Sequence, residues 1–248
     1  MQTPSPRCRP CPADGWTPEH PAVDSFRPHL QVLPKQQQTL WPSLAPLAAE
    51  GFVLYGGTAI ALRYGHRISV DFDFFRAQSL DRGRLSQGLA WLPSAQVLQD
   101  QPNTLTVLTP ASDNTQSVKV SFFGGLTMGR VANPQRTSDG VALVASPLDL
   151  LATKLKVLLQ RAERKDYEDV AILLRFGLSL PEGLGAARAL YGDAFPISEC
   201  LKALVYFADG DLGDLPPERR QQLESAVLSV DSIPCMHRRS RELCPVSS

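Results

Sequence analysis

Two aspartates, Asp71 and Asp73, are the residues whose type and spacing are best suited to chemistry. They lie two apart in residues 70–75, whose aromatic and β-branched composition is typical of a strand. Because strand side chains alternate, both carboxylates point to one face, and Phe72 and Phe74 point to the other. Adjacent carboxylates repel each other, and Mg²⁺ binds a few carboxylate oxygens together with phosphate oxygens and water. The pair therefore predicts a magnesium site rather than a solvated strand face.

A glycine pair precedes these aspartates, at the end of a short apolar strand predicted over residues 52–55. Gly56, Gly57 and Thr58 follow that strand and open a short apolar segment that is predicted to be helical. Glycine lets the backbone approach a ligand closely, and the N–H groups at a helix start attract phosphate. A tight turn with a helix cap is the alternative, and both readings can hold, since the turn geometry creates the anion site.

Arg67 and Ser69 lie between the glycine pair and the aspartates. Ser69 adds a hydroxyl near a bound triphosphate, and Arg67 is suited either to contact a phosphate or to pair with a carboxylate. A phosphate cradle and a metal clamp on neighbouring strands are the parts that nucleotidyl transfer requires. The residues thus indicate a nucleotide-binding site beside a metal site.

The spacing of these motifs resembles the signature of the DNA polymerase β-like nucleotidyltransferase superfamily. Gly56 and Gly57 are followed by thirteen residues and then by Asp71, Phe72 and Asp73. The fuller string over residues 56–75 resembles, more narrowly, the AbiEii/AbiGii toxin family of type IV toxin–antitoxin and abortive-infection systems. A second block over residues 154–169 resembles that family's later conserved block.

This resemblance implies a Mg²⁺-dependent enzyme that moves a nucleoside monophosphate from an NTP to an acceptor. It implies catalytic and metal-binding roles for Asp71 and Asp73, and a toxin that a separately encoded antitoxin neutralises. Some members of the family modify tRNA, so RNA is one expected acceptor. A small molecule or a protein hydroxyl is the alternative acceptor, and a nucleotide-binding or partner-binding module without turnover is the alternative of another class.

The second block carries charged residues at helical spacing. Taken alone, the block is typical of a salt-bridge set that joins two helices. The resemblance instead implies that Lys154 contacts the triphosphate and that Asp166 activates the acceptor as a base or orients Lys154. Asp169 is expected to be a structural partner, and Arg161 is expected to share a helix face with Lys154.

One position departs from the superfamily pattern. A third carboxylate is usual on a later strand, and the matching segment here is Lys119-Val120-Ser121. Serine is a poor ligand for a hard cation and is no base unaided. Three outcomes follow: another carboxylate supplies the missing charge, the metal alone activates the nucleophile, or the site is weak or inactive. The other carboxylates available are Asp149, Asp166 and Asp169.

Charge and hydropathy exclude some function classes. The 248 residues include 25 basic and 25 acidic side chains, so no global positive field favours nucleic acid. No apolar run approaches the roughly 20 residues of a membrane span, and the first residues lack the apolar core of a signal peptide. We therefore expect no membrane partner and a cytoplasmic location.

The five cysteines indicate the same compartment. An odd number without a regular framework is typical of reducing conditions. Cys8 and Cys11 have half the spacing of a zinc site, but the other half would have to come from the far end of the chain. We interpret them as tail cysteines rather than zinc ligands.

Periodicity predicts an α/β (α+β) fold, in which a nucleotidyltransferase-fold mixed sheet with packed helices is followed by an all-helical C-terminal bundle. Strands are predicted over 52–55, within 67–75, and over 95–98, 104–109, 117–123 and 141–145. Helices are predicted after a cap at Ser79 or Asp81 and over 147–159, 165–176, 181–191, 197–207 and 216–230. The expected domains are a disordered or loosely packed segment (1–30), a catalytic domain (31–145), a helical domain (146–230) and a flexible tail (231–248).

Overall fold

The computed structural model describes residues 25–111 and 116–245. The strands are β1 (Ser25–Phe26), β2 (Val53–Tyr55), β3 (Asp71–Phe75), β4 (Gln96–Gln101), β5 (Thr104–Leu108), β6 (Lys119–Phe123), β7 (Gln135–Thr137) and β8 (Leu143–Val144). The helices are α1 (Lys35–Leu40), α2 (Pro46–Ala49), α3 (Gly56–Tyr64), α4 (Arg82–Gly88), α5 (Pro147–Leu158), α6 (Arg164–Arg175), α7 (Leu180–Tyr191), α8 (Ile197–Val205) and α9 (Pro217–Leu228). Of the described residues, 25–111, 116–146 and 240–245 belong to one compact unit, and 147–239 belong to another.

The described strands form one mixed sheet in the first unit, in the order β1-β7-β8-β2-β3-β6-β5-β4. Strand β3 lies near its centre, antiparallel to β2 and parallel to β6. All three residues of β2 are buried, as a central strand covered on both faces requires. In β3 the buried and half-buried residues alternate, so one face of the strand packs in the core and the other is open.

Aromatic rings fill the core behind β3. Phe72 stacks on Trp41 with 5.9 Å between ring centroids, and Phe74 stacks on Phe122 at 6.0 Å. Phe52 meets Phe122 edge-on at 5.8 Å. These rings anchor the strand from its inner face, so the side chains on its outer face are held in a fixed position.

The second unit is helical. Helix α5 packs against α6, α7 and α8, and α9 packs against α6 and α8. A Cβ atom added to Gly183 of α7 would lie 2.5 Å from the side chain of Leu151, so glycine permits the close approach of α5 and α7. Ser179 and Glu182 form a capping box that starts α7.

The predicted α/β class is confirmed, as are the strands at β2, β3, β4, β5, β6 and β8 and the helices from α4 to α9. The cap of α4 is Asp81, whose side chain accepts a hydrogen bond from the N–H of Arg84. Two short strands, β1 and β7, were not predicted; they pair with each other in parallel. Cys8 and Cys11 lie outside the described residues.

The two terminal segments differ from expectation where the structure describes them. Residues 25–30 were expected to be loosely packed, yet they contain β1. Residues 231–245 were expected to be a flexible tail, yet Ile233 and Leu243 are buried and Ser240 pairs with Arg130 in a β-bridge. Isolated apolar residues without periodicity gave no signal of this packing. Within the described residues no single helix is long and apolar enough to span a membrane. Helices α6 and α7, which are bent relative to each other, together reach the required length and apolar composition, but only by these two criteria.

Candidate active site

Strand β3 presents Asp71 and Asp73 on its outer face. Both are half-buried, whereas Phe72 and Phe74 on the inner face are 0% and 2% exposed. The alternation follows from the pleat of the strand, and the buried rings fix its register. Two carboxylates therefore stand next to each other on a rigid, central strand.

Gly56, the first residue of α3, lies directly against Asp73. Its φ angle is +75°, a left-handed conformation that side chains other than glycine's rarely adopt. A Cβ atom at this position would lie 2.6 Å from Oδ2 of Asp73. Glycine is thus required for two reasons, and it brings the start of a helix beside a carboxylate.

The second glycine of the pair makes room for an arginine. A Cβ atom on Gly57 would overlap the guanidinium group of Arg67 and would lie 3.3 Å from the Ser69 hydroxyl. Arg67 also donates to the carbonyl of Ile68 at 3.0 Å. A cationic group and a hydroxyl therefore lie next to the first turn of α3, where N–H groups face outward.

Thr58 ties this turn to β3. Its hydroxyl is hydrogen-bonded to the Ser69 hydroxyl at 2.8 Å and donates to the carbonyl of Asp71. Thr58 is 1% exposed and Ser69 is 8% exposed. These hydroxyls hold the helix start and the aspartate strand in a fixed relation to each other.

Strand β6 supplies the neighbours of the aspartates. In the parallel register Lys119 lies opposite Asp71, and Ser121 lies opposite Asp73. The ammonium of Lys119 is 3.1 Å from Oδ2 of Asp71. Ser121 is 4% exposed, and its hydroxyl accepts a hydrogen bond from Thr106 at 3.4 Å. A buried hydroxyl thus occupies the position where the superfamily pattern has a carboxylate.

The oxygen donors on β3 fit a magnesium ion that is shared with a substrate. Among the residues that the structure describes, no three His, Cys, Asp or Glu side chains are grouped to hold a metal. Mg²⁺ is usually held by one or two carboxylates together with substrate phosphates, not by an all-protein cage. Asp71 and Asp73 provide those carboxylates, and the adjacent start of α3 provides a place for phosphate.

A second charged cluster lies in the helical unit. Lys154 on α5 is 2.6 Å from Oδ1 of Asp166 and 2.6 Å from Oδ2 of Asp169, both on α6. Both aspartates are 0% exposed, and the Lys154 side chain is 7% exposed. Arg161 donates from Nε to Oδ2 of Asp166 at 2.8 Å. Arg161 lies beyond the end of α5, in the connection to α6, and not on one helix with Lys154 as the spacing predicted.

These cations control the charge of Asp166. Burial on its own would raise the pKa of Asp166, but the adjacent charges of Lys154 and Arg161 outweigh it and hold the pKa below its ordinary value. Asp166 is therefore ionised, fully buried and hydrogen-bonded through both oxygens. Such a carboxylate is suited to positioning Lys154 and is a weak base.

We expect the free energy of unfolding to fall as the pH is lowered below about 4. A carboxyl with a depressed folded-state pKa contributes stability above its ordinary pKa, and that contribution is lost as the pH falls through the folded-state value. Urea titrations at several acidic pH values measure this slope. The Asp166→Asn variant should show a shallower dependence; an unchanged slope would mean that Asp166 does not contribute.

The predicted site residues thus fall into two groups. Lys154 and Asp166 lie together in the helical unit, and the others lie together around β3 and the start of α3: Gly56, Gly57, Thr58, Arg67, Ser69, Asp71 and Asp73. Sequence reasoning did not predict that Lys119 faces Asp71. The only sequence signal for this pairing is that β3 and β6 have the same length. Which distant strands pair with each other is not determined by the local sequence.

Comparison with known proteins points to one family. A family model described as nucleotidyl transferase AbiEii toxin, type IV toxin–antitoxin system, matches residues 43–232. The Aquifex aeolicus (strain VF5) protein named "Uncharacterized protein aq_aa25" is 30% identical over 184 residues, which are 73% of this chain and 85% of that protein.

Two solved structures share the fold. The MenT4 nucleotidyltransferase toxin of Mycobacterium tuberculosis H37Rv aligns with a TM-score of 0.53 at 12% identity and covers 78% of this chain and 83% of its own. JHP933 of Helicobacter pylori aligns with a TM-score of 0.51 at 17% identity and covers 79% and 90%. At these identities the likeness concerns the fold.

Proposed function

Because this chain belongs to the AbiEii family of nucleotidyltransferase toxins, we propose that it transfers a nucleoside monophosphate from an NTP to an acceptor, with Mg²⁺ as cofactor. Nucleotidyltransferase activity is the family's; the metal, the acceptor and the residue roles are proposed. One observation supports placing the active site here. The Asp73 carboxylate lies against the first residue of α3, so the proposed metal ligand is next to the helix start that would bind phosphate.

The phosphate-binding part consists of Gly56, Gly57, Thr58, Arg67 and Ser69. The outward N–H groups at the start of α3 and the guanidinium beside Gly57 attract the triphosphate. Thr58 and Ser69 are engaged with each other and with β3, so they act chiefly by holding the turn in place.

Asp71 and Asp73 would hold the Mg²⁺ ion. When bound, the ion supplies charge neutralisation at the triphosphate and lines up the attacking and leaving oxygens. The two carboxylates are held on a strand whose inner rings are fully packed, so they are oriented in advance of substrate binding.

In the helical unit, we assign Lys154 to the triphosphate and Asp166 to positioning. Lys154 offers a point charge suited to phosphate, and its ammonium is already held by Asp166 and Asp169 at 2.6 Å each. Lys154 and Arg161 already donate hydrogen bonds to both oxygens of Asp166, and their positive charges hold its pKa below the ordinary value. Orienting Lys154 is therefore better supported for Asp166 than the role of a base.

RNA, tRNA in particular, is the acceptor class that we propose, and an antitoxin is the partner that the family implies. The support for RNA is the resemblance to family members that modify tRNA, since the net charge of zero adds none. The experiment is incubation with each α-³²P-labelled NTP, Mg²⁺ and total RNA, followed by separation of RNA, protein and small molecules. Label in RNA supports the proposal; label on protein or on a small molecule moves the acceptor to that class.

Ser121 favours a second candidate, a nucleotide-binding module without turnover. The position beside Asp73 holds a neutral, buried hydroxyl, so the site has two carboxylates on its strands instead of three. Nucleotide binding without pyrophosphate formation with any NTP would support this module over the enzyme.

Substituting Gly56 with alanine is expected to lower activity by at least about 100-fold. The new methyl group would collide with Asp73 and displace it from its orientation. Gly51→Ala is the matched control, because Gly51 has a similar φ of +79° but its nearest atom would be 3.7 Å from the added Cβ. Both variants should lose about 1–2 kcal/mol of stability through backbone strain, and only Gly56→Ala should lose activity. Equal activities would contradict the role of this contact.

A further inference from the structure

The cation beside Asp71 has a position set by the sheet itself. Lys119 and Asp71 are directly opposite each other on parallel strands, and the ammonium lies 3.1 Å from one carboxylate oxygen, Oδ2. Their side chains are 41% and 35% exposed, so the pair alone contributes little stability. The parallel register, rather than the strength of the ion pair, places Lys119 opposite this carboxylate.

The next residue on the same face of β6, Ser121, is uncharged. It lies opposite Asp73, and its hydroxyl accepts a hydrogen bond from Thr106 at 3.4 Å. A hydroxyl in this position neither carries negative charge nor serves a hard cation well. Along this face of β6, the strand thus places a positive group and a neutral group opposite the two carboxylates.

We infer that Lys119 takes the place of a second divalent ion, so that Asp71 and Asp73 take up one divalent ion with the nucleotide rather than two. This inference rests on the proposed function and deepens it. Lys119 covers the Oδ2 side of Asp71, so an ion that binds both Asp71 and Asp73 would approach Asp71 from its other oxygen. Lys119 is accordingly a positioning residue that sets the metal stoichiometry of the site.

Positive charge next to Asp71 opposes a second ion at that carboxylate. The ammonium of Lys119 lies 3.1 Å from Oδ2 of Asp71, and the guanidinium of Arg67 lies near Gly57. Like charges a few ångströms apart cost on the order of 1 kcal/mol even in water and more in a partly buried site. The ammonium of Lys119 supplies positive charge at Asp71 without a second dehydrated ion.

The test is Mn²⁺ binding to the full chain with a non-hydrolysable α,β-methylene NTP, read from the solution EPR signal of free Mn²⁺. Titration of the nucleotide alone is subtracted. Three variants change the charge at this position: Lys119→Arg keeps it, Lys119→Gln removes it and Lys119→Glu reverses it. The Lys119 side chain is 41% exposed, so the substitutions do not disturb the core.

We expect one Mn²⁺ per chain for the wild type and for Lys119→Arg. Lys119→Gln should bind Mn²⁺ roughly tenfold more tightly, because a cation next to a ligand is gone, and Lys119→Glu should bind two ions. Two ions on the wild type, or equal affinity of the wild type and Lys119→Gln, would overturn the inference while leaving the proposed transferase intact. Absence of Mn²⁺ binding with any NTP analogue would overturn both.

Discussion

Replacing Asp73 with asparagine is expected to slow nucleotidyl transfer by about 10³-fold, which corresponds to about 4 kcal/mol of transition-state stabilisation. Asparagine keeps the shape that packs against Gly56 but lacks the negative charge that a divalent ion requires. Because the inner face of β3 carries the buried rings, the change should leave the fold intact.

Initial rates of pyrophosphate release measure this effect, and circular dichroism checks the fold. Asp100→Asn is the matched control, since Asp100 lies on edge strand β4 of the same sheet and pairs with Arg82 at the surface. That control should retain nearly full activity. A rate for Asp73→Asn within tenfold of the wild type would show that this carboxylate does not hold the metal.

Replacing Lys154 with methionine is expected to destabilise the chain by about 3–5 kcal/mol. The change leaves Asp166 and Asp169, both 0% exposed, without the ammonium that lies 2.6 Å from each of them. Removing one partner from a buried ion cluster costs more than the cluster contributes, because the remaining charges stay desolvated.

Urea unfolding followed by far-UV circular dichroism measures this loss. Lys202→Met is the control, because Lys202 is an exposed lysine that pairs with Glu199 at 3.0 Å on the surface of α8; its effect should be within about 0.5 kcal/mol. Adding Asp166→Asn and Asp169→Asn to Lys154→Met should restore much of the stability. If Lys154→Met cost no more than Lys202→Met, the cluster would not be a buried structural unit.

The local parts of the site were predictable from sequence. The alternation of residues 71–75 predicts which aspartates share a face, and the Gly56-Gly57 pair predicts a turn that needs glycine. Both features depend on the chain's own dihedral angles and on a strand's period of two. The sheet's polar strand β7 carries no such pattern, and it forms because β1 and β8 flank it.

The non-local parts were not predictable. Lys119 reaches Asp71 through the pairing of strands that are 48 positions apart in sequence, and a lysine on a strand is ordinarily expected to face solvent. Lys154 lies off the apolar stripe of α5, yet it is buried because two carboxylates of α6 meet it. Sequence periodicity does not predict either of these ion pairs, because each depends on how two separate elements pack together.

Mg²⁺-dependent release of pyrophosphate shows whether Asp71 and Asp73 carry out nucleotidyl transfer. The wild-type chain, the Asp71→Asn/Asp73→Asn variant and the Asp100→Asn control would be incubated with each NTP and total RNA, with Mg²⁺ or with EDTA. We expect the wild type and Asp100→Asn to release pyrophosphate with Mg²⁺ but not with EDTA, and the double variant to stay at background under both conditions. Equal release from the double variant, or undiminished release in EDTA, would contradict the assignment of the reaction to Asp71 and Asp73.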